Sequence, residues 1–455
     1  MPKSTDVRVV NVEVDTETIA YRVPIKFGGR VVTSATLLNV TLEVESRRGQ
    51  RGRGFGSMPL GNAWAWPSQA VSGEQTLLAM QQLGRQVAEA AVSPELGHPL
   101  DIVHRLSQQY AAMAEKIASD LNLSEAMSSL AVLVAASPTD AAIHDAFGKM
   151  LGQNSYDLLG RDYVNHDLAH DLDANFAGEY LDRYTLRAPK PSMPIYHLVG
   201  ALDPLTDADL PHRVNDGLPE TLGEWINSDG LTHLKIKLAG DDLAWDIQRV
   251  LAIEQVAAQT QAARGVDTWH YSCDFNEKCA NVDYVLEFLA QIGQQSPAAW
   301  QRIQYIEQPT SRHLEAHPEN RIHRAAAVKP VVIDEALIDY ESLLLAREQG
   351  YSGVALKACK GHTEALLMGA AAQKFGMFLC VQDLTCPGYS FLHSASLAAR
   401  IPTIAAIEGN GRQYCPAGNR GWSDRFPGMF DITAGTVATA ELKGTGLGFG
   451  VRGSG

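Results

Sequence analysis

The sequence predicts an α/β protein in which a parallel (β/α) barrel follows a smaller α+β unit. Two changes of pattern support this prediction. Residues 7–44 alternate as antiparallel strands do, and residues 73–152 then show helical spacing. From Met193 onward, short apolar runs alternate with helical stretches. A chain of 455 residues is long enough for both units, since a barrel alone takes about 250 residues.

The first third of the chain carries the signals of the α+β unit. Strands are predicted in VRVVNVEVDTETIAYRVPI and TSATLLNVTLEVES, and the Gly-rich residues 24–30 between them form either a plain hairpin or a mobile flap over a ligand. We expect residues 52–67 to be an irregular loop whose Trp64 and Trp66 either pack beneath it or line a small-molecule pocket. Helices follow, and prolines such as Pro138 are expected to delimit them.

Eight apolar runs between residues 194 and 409 are predicted as barrel strands. They are separated by helical segments such as LAWDIQRVLAIEQVAAQTQAA, which favours a closed parallel barrel over an open sheet. In chain order the runs are PIYHLVG, LTHLKIKL, TWHYSCDFN, IQYIEQP, PVVIDEA, GVALKAC, MFLCVQDL and TIAAIEG.

The remaining segments set the predicted domain boundaries. Residues 421–455 are β-like and Gly-rich, and we expect them to join residues 1–155, while residues 193–420 form the barrel and 156–192 an irregular connection. The connection contains a group of Asp and His residues. This group could bind a metal ion, but a solvated polar face is the favoured interpretation. Its members are His166, Asp167, His170 and Asp171.

The run LTHLKIKL places Lys235 and Lys237 on the same face of one strand, because side chains of a strand alternate with a period of two. Two buried ammonium groups repel each other and lose hydration, so their pKa values are expected to fall unless anionic groups lie opposite. A lysine with a lowered pKa can act as a base near neutral pH. An exposed edge strand with a stripe of lysines is the alternative interpretation.

Charged residues also stand at the ends of the later strands, where the active site of a parallel barrel lies. The charged residues of successive strands are 23 to 37 residues apart, which is about one strand–helix unit. They should therefore meet at one mouth. Three consecutive carboxylates make a hard-oxygen site suited to Mg²⁺, with a lysine on either side. A carboxylate substrate bound there would have its α-proton between the two lysines. The strand-end residues are Lys235, Lys237, Asp274, Glu307, Asp334, Glu335, Lys357, Asp383 and Glu408.

As an ordered set, these residues resemble the enolase superfamily, in the mandelate racemase/muconate lactonizing enzyme family and its muconate lactonizing enzyme-like branch. The motifs are Lys235-Ile236-Lys237, Asp274-Phe275-Asn276, Glu307-Gln308-Pro309, Asp334-Glu335 and Lys357. The resemblance implies a modified TIM (β/α) barrel with an α+β capping domain. It departs at the last strand, where Glu408-Gly409-Asn410 stands in place of the Asp-x-Asp of dipeptide epimerases.

The resemblance also implies roles for particular residues. Mg²⁺ would be bound by Asp274, Glu307 and Asp334, and Lys237 and Lys357 would be the acid/base pair, assisted by Lys235. Substrate contacts would come from residues 24–30, the tryptophan loop and the barrel mouth. The expected substrate-binding residues are Phe27, Trp64, Trp66, His197, Asn276, Asp383 and Glu408.

The predicted activity is Mg²⁺-dependent removal of the α-proton of a small-molecule carboxylate, through an enediolate. Racemisation, epimerisation or cycloisomerisation is the simplest outcome, and dehydration of an acid sugar would use the same site. Two other classes remain as alternatives: an aldolase-type barrel with a Schiff-base lysine, and a barrel that binds without reacting.

The composition is that of an ordinary soluble globular protein. Lys+Arg total 38 against 52 for Asp+Glu, and this net charge of −14 disfavours a nucleic-acid partner. No apolar run predicts a signal peptide or a membrane span, so we expect a cytoplasmic protein with no membrane partner. The six cysteines lack zinc-type spacing and are interpreted as reduced thiols. Folds of this kind assemble through symmetric faces, and a homo-oligomer is expected.

Overall fold

The computed structural model describes residues 3–27 and 30–450, with only the backbone described at Phe27. It has an N-terminal α+β capping domain followed by a barrel of eight parallel strands, which confirms the predicted fold class. Within the described residues, no helix has the length and apolarity needed to span a bilayer.

The strands are numbered in chain order. They are β1 Val7–Phe27, β2 Arg30–Ser46, β3 Arg51–Pro59, β4 Met193–Val199, β5 His233–Lys237, β6 His270–Asp274, β7 Ile303–Glu307, β8 Val331–Ile333, β9 Gly353–Leu356, β10 Phe378–Val381, β11 Ile407–Glu408 and β12 Thr436–Val437.

The α-helices are numbered in the same way. They are α1 Asn62–Ala65, α2 Gly73–Ala91, α3 Pro99–Asp120, α4 Ser129–Leu151, α5 Leu222–Asp229, α6 Leu243–Arg264, α7 Val282–Gln295, α8 Pro297–Arg302, α9 His323–Ala326, α10 Tyr340–Glu348, α11 His362–Lys374, α12 Gly388–Arg400, α13 Gly411–Tyr414 and α14 Pro427–Phe430.

The capping domain packs three helices on an antiparallel sheet of order β1-β2-β3. Alternate residues of β2, from Leu38 to Val44, are buried in one core with apolar residues of α2, α3 and α4. Residues 24–27 extend β1 and Arg30 begins β2, so the two strands pair along a long antiparallel hairpin. Gly28 and Gly29 lie outside the described residues.

The third strand, β3, occupies residues that were predicted to be an irregular loop, and that prediction is wrong. Arg51 to Pro59 pair with β2 along the whole strand. Gly52, Gly54 and Gly56 alternate on the face toward α4, where a Cβ on Gly54 would overlap the carbonyl oxygen of Ala142. Three glycines replace the apolar residues that normally mark a buried strand face, so the sequence carries no alternating pattern there.

Pro138 lies inside α4 and does not delimit a helix as expected. A proline has no N–H, so the carbonyl of Val134, four residues earlier, loses its usual partner. The hydroxyl of Ser137 donates to this carbonyl at 2.9 Å. The neighbouring serine therefore satisfies the backbone group that the proline leaves open, and the helix continues.

Strands β4 to β11 lie in chain order, and β11 pairs with β4 to close the barrel. One apolar layer fills its lower interior. Tyr196 on β4 and Tyr305 on β7 lie with their ring centroids 6.0 Å apart, although their strands are not neighbours, so both point inward. The layer consists of Tyr196, Tyr305, Val332, Ala355, Cys380 and Ala406. Since side chains alternate, the residues two positions later on these strands also face inward, at the carboxyl ends.

The C-terminal segment contacts both units. β12 pairs antiparallel with the start of β4, and is thus part of the barrel sheet. Farther on, the backbone N–H of Ser155 donates to Gly446 O at 2.7 Å, and Leu447 N–H donates to Asp145 Oδ1 at 3.1 Å. This segment therefore links the capping helix α4 to the barrel.

The close packing of β3 on α4 predicts that Gly54→Ala destabilises the protein by about 1–3 kcal/mol, because the added methyl group forces the strand and helix apart. Gly73→Ala is the matched control, since the nearest atom to its Cβ is 3.9 Å away. It should change the free energy of unfolding by less than about 0.5 kcal/mol. Urea denaturation measures both, and equal effects of the two substitutions would contradict this packing.

Candidate active site

Lys235 lies at the centre of a buried group of charges. Its Nζ is 2.8 Å from Glu307 Oε1, 2.8 Å from Glu408 Oε2 and 3.1 Å from Asp274 Oδ2. Lys237, two residues later on the same face of β5, donates to Asp274 and, at 3.1 Å, to Asn276 Oδ1. The two lysines therefore share one carboxylate, as their placement on one strand face predicts.

A second lysine contact lies on the other side of the barrel mouth. Lys357 Nζ, at the end of β9, is 2.8 Å from Asp334 Oδ2. The sheet order β5-β6-β7-β8-β9 places Asp274, Glu307 and Asp334 on the three strands between Lys237 and Lys357. The two lysines thus flank three consecutive carboxylate-bearing strands.

The capping domain covers this mouth with Trp64. The Lys357 ammonium lies 4.3 Å from the centre of the indole ring, and the indole N–H donates to Glu335 Oε1 at 2.9 Å. Asn276 Nδ2 donates to the same carboxylate oxygen at 3.2 Å. Arg312 donates to Trp64 O at 3.1 Å, which fixes the loop on the barrel. The indole and the Asn276 amide thus contact the charged group.

Three further residues of the site were given no role in the sequence analysis, although Gln308 belongs to one of its motifs. Gln382 donates to Glu307, and Gln308 accepts from the Asp334 N–H at 2.9 Å. Lys360 lies 3.2 Å from Asp334 Oδ1 and donates to Leu337 O at 3.1 Å. The period of two identifies Gln382, because it follows the inward-facing Cys380. Neither Gln308 nor Lys360 follows a strand alternation that could have revealed it.

The charge balance of the site leaves room for a divalent cation. Four buried lysines face six buried carboxyl groups, so two negative charges remain when every group is ionised. All the candidate donors on β6, β7 and β8 are carboxylate oxygens, which suits Mg²⁺. Among the described residues, the ligand atoms of Asp274, Glu307 and Asp334 do not all approach within 4.8 Å, since ammonium groups lie between them. The chemistry of these oxygen donors therefore fits Mg²⁺, and the lysine ammonium groups compete with the metal for the same carboxylates.

Opposite charge reverses the pKa shift expected for lysines buried without partners. Burial lowers the pKa of Lys235, but the carboxylates of Glu307, Glu408 and Asp274 outweigh burial and raise it well above its ordinary value. Burial also lowers the pKa of Lys357, but the charge of Asp334 outweighs burial and raises it. The structure therefore contains the anionic groups opposite the lysines that would prevent the expected fall in their pKa values.

Two carboxyl groups of the site are poorly compensated. Burial, followed by the charge of Asp334, raises the pKa of Glu335 to about 7. Burial, followed by the charge of Glu408, raises the pKa of Asp383 to about 7. Glu335 Oε2 and Asp383 Oδ1 are buried and have no hydrogen-bond partner among the described residues. Both groups therefore hold a proton more tightly than an ordinary carboxyl group does.

His197 lies apart from the lysines, unlike the other predicted strand-end residues. Tyr196 and its neighbour at 198 face into the barrel, so His197 faces outward. Its Nδ1 lies 2.8 Å from Arg412 Nη2, and its ring packs against Trp225 with centroids 5.2 Å apart. It borders a separate cavity of about 290 Å³, together with Pro24 of the hairpin.

Two other residues predicted to contact the substrate, Trp66 and Asp383, are held by partners within the chain. Trp66 is buried in the capping domain and donates to Glu125 Oε1 at 2.6 Å. Asp383 accepts from the N–H groups of Cys386 and Asn410 at 3.2 and 3.1 Å, and so joins the loops after β10 and β11. The side chain of Phe27 lies outside the described residues. Asn276 and Glu408 join the charged group directly.

The geometry can be compared with that of known proteins. The family model for the enolase C-terminal domain-like family matches residues 218–453, just over half of the chain. The chain belongs to the mandelate racemase/muconate lactonizing enzyme family of the enolase superfamily. No curated protein has a sequence that matches significantly.

Solved structures of this superfamily share the fold. A mandelate racemase/muconate lactonizing protein from Herpetosiphon aurantiacus is 18% identical, with 98% of this chain and 99% of that chain covered and a TM-score of 0.63. The L-Ala-D/L-Glu epimerase of Bacillus subtilis is 16% identical, with coverages of 97% and 98% and a TM-score of 0.63. A dipeptide epimerase of Enterococcus faecalis, complexed with Mg and L-Leu-L-Tyr, is 16% identical, with coverages of 97% and 99% and a TM-score of 0.63.

The raised pKa of Asp383 predicts that the free energy of unfolding of the metal-free protein depends on pH. The folded chain binds this proton more tightly than the unfolded chain, so the free energy of unfolding falls as pH rises from about 4 to about 7. Asp383→Asn removes the titration and keeps an oxygen that can accept from Cys386 and Asn410. We expect this variant to be more stable than the original chain at pH 8 by about 1 kcal/mol or more, with no gain at pH 4.

Urea denaturation at both pH values measures the difference. Asp424→Asn, at an exposed position, is the control and should leave the pH dependence unchanged. A gain for Asp383→Asn that is equal at pH 4 and pH 8 would contradict a buried carboxyl group that titrates near neutrality.

Proposed function

We propose that this chain is a Mg²⁺-dependent enzyme that removes the α-proton of a carboxylate substrate and forms an enediolate. Racemisation or epimerisation, or cycloisomerisation, is the outcome that the site supports best. The observation that carries the proposal is the placement of Lys237 and Lys357 on the strands that flank Asp274, Glu307 and Asp334.

The two lysines have the arrangement that proton transfer on both faces of a carbon requires. Each ends a strand at the same mouth, and each is held by a carboxylate of its neighbouring strand, Asp274 for Lys237 and Asp334 for Lys357. A substrate carbon between them can lose a proton to one lysine in its neutral amine form. It can then receive a proton from the other lysine in its ammonium form. Restricted rotation of both lysines lowers the entropy cost of this alignment.

Mg²⁺ bound by Asp274, Glu307 and Asp334 would supply the missing positive charge, relieve the carboxylate charge that raises the pKa values of Lys235 and Lys357, and stabilise the developing enediolate. Lys235 keeps Glu307 and Glu408 in place through contacts of 2.8 Å. Gln308 fixes the backbone of Asp334 through its own side chain. These residues orient the groups that touch the substrate.

Trp64 would exclude water from the Lys357 side. Its indole packs over the ammonium group and is fixed at its other end by Glu335. Exclusion of water strengthens every electrostatic interaction in the site and protects the enediolate from stray protons. We therefore assign the capping unit, residues 1–155 with the part of residues 421–455 that follows β12, to closing the site, and residues 193–420 to the chemistry.

The structure disfavours the alternative classes to different degrees. An imine-forming lysine has no use for three carboxylates on consecutive strands. A binding protein has no need for two buried lysines, each paired with a carboxylate beside it. Loss of a leaving group from an acid sugar begins with the same proton abstraction, and no contact in the site favours it over isomerisation.

Relatives that bind dipeptides guide the choice of substrates. Dipeptide epimerases are among the structural neighbours, but here the last strand carries Glu408-Gly409-Asn410. Asn410 Nδ2 donates to Glu408 Oε1 at 3.2 Å, and the other oxygen of Glu408 contacts Lys235. Both carboxylate oxygens of Glu408 thus have partners within the chain. We therefore propose that the substrate is a small carboxylate that has no amine group needing an ion pair with Glu408.

The two-lysine arrangement predicts complementary defects in single variants. Lys237→Ala and Lys357→Ala should each lower the interconversion of two enantiomers by at least about a hundredfold, because return of the proton needs both faces. The remaining lysine should still exchange the α-proton of one enantiomer in D₂O. The two variants should therefore label opposite enantiomers, as measured by proton NMR.

Lys278→Ala removes an exposed lysine and serves as the control, with unchanged rates expected. Full interconversion by either active-site variant would contradict the two-base arrangement. Labelling of the same enantiomer by both variants would contradict the placement of the lysines on opposite faces.

A further inference from the structure

A second group of potential metal ligands lies outside the barrel, where the connection after the capping helices packs on α3. His104 on α3, His170 and Asp171 each have a ligand atom within 4.8 Å of the others. His104 Nδ1 is 3.0 Å from Asp171 Oδ1. Four-coordinate zinc places neighbouring ligand atoms about 3.3 Å apart. The three side chains thus stand close to the spacing that one such ion requires.

The backbone of this group is held in place before any ion binds. Leu168 is 3% exposed, and its N–H donates to Glu179 O at 2.9 Å. The Asp167 carboxylate accepts from the N–H groups of Ala169 and Gly178 at 3.2 and 2.7 Å. Asp167 therefore caps the turn and is not available as a ligand in this arrangement. The turn presents the residues on either side of it to α3.

A third histidine adds to the group. His166 and His170 are four residues apart, and their rings stack with centroids 4.3 Å apart. Both border a cavity of about 420 Å³ that His104 also lines. Arg105 borders the cavity too, but its charge is paired with Glu95 at 3.1 Å. A cation entering here would meet imidazole nitrogens and carboxylates.

The environment of His104 supports ligation through Nδ1. Gln108 Nε2 lies 3.0 Å from His104 Nε2. Rotation of the amide by half a turn would let the Gln108 oxygen accept from an Nε2–H, which leaves Nδ1 free to bind a metal. Histidines that ligate metals commonly donate their second N–H to such an oxygen.

We propose that His104, His170 and Asp171 form a zinc site that fixes the connection to helix α3. Two imidazoles and one carboxylate are a borderline donor set that suits Zn²⁺, and they differ from the all-oxygen set in the barrel. Water or His166 completes a tetrahedron. The site joins residues 165–171 to the capping domain, and it gives this long polar connection a structural role separate from catalysis.

The test uses the full, untagged chain, freed of metal and then kept in millimolar Mg²⁺ so that the barrel is occupied. Isothermal titration with ZnCl₂ should show one ion bound per chain. His104→Ala and His170→Ala should each weaken this binding by more than about a hundredfold. His313→Ala, which removes an exposed histidine elsewhere, should leave the affinity unchanged. Asp171→Asn retains the shape of the carboxylate and should weaken binding in the same direction.

Hydrogen exchange locates the ion independently of any substitution. Zinc should slow exchange in residues 99–110 and 165–172 of the unmodified chain. Unchanged zinc affinity in the histidine variants, no binding at micromolar zinc, or protection confined to the barrel strand ends would each overturn the proposal. Melting temperatures measured without zinc identify any variant that fails to fold, and the exchange experiment then decides.

Discussion

The contact of one buried ammonium group with three carboxylates governs the rest of this structure. Lys235 Nζ lies within 3.1 Å of oxygens of Asp274, Glu307 and Glu408, at the mouth of the barrel. A buried carboxylate without a counter-charge is costly, and so is a buried lysine. Each of the three strands that carry these carboxylates can therefore end in a charge only because β5 supplies a cation opposite. The surplus of carboxyl groups over lysines is the charge that the proposed Mg²⁺ would balance.

The barrel and most of this site could be predicted from the sequence because strand geometry converts spacing into position. All eight predicted strands exist, and the charged residues that end β5 to β9 and β11, such as Lys237 and Lys357, enter one mouth. The same period of two, applied strictly, would have selected Gln382 over Asp383 and turned His197 outward. Asp383 and His197 were predicted to face the site only because each lies near a strand end. A shift of one residue along a strand reverses the direction in which a side chain points.

Other features depend on contacts between distant parts of the chain, which no local pattern records. β3 exists because its glycines let the strand approach α4, and a Gly-rich segment resembles a loop when its partner is unknown. Trp64 reaches the site although Trp66, two residues later, is buried in the capping domain. The histidines of the polar connection gain a possible role only once α3 brings His104 beside Asp171. In each case the partner lies tens to hundreds of residues away in the chain, and only the fold brings the groups together.

The most direct measurement of the central claim is deuterium uptake from D₂O into a library of small carboxylates, read by mass spectrometry with Mg²⁺ and again with a chelator. The library should contain 2-substituted acids, acid sugars and dipeptides. If the site abstracts an α-proton with the help of Mg²⁺, at least one class of acid should take up one deuteron at the α-carbon, and this uptake should disappear when the chelator removes the metal. Uptake that is unaffected by the chelator, or conversion of an accepted substrate without any α-exchange, would contradict proton abstraction in a metal site formed by Asp274, Glu307 and Asp334.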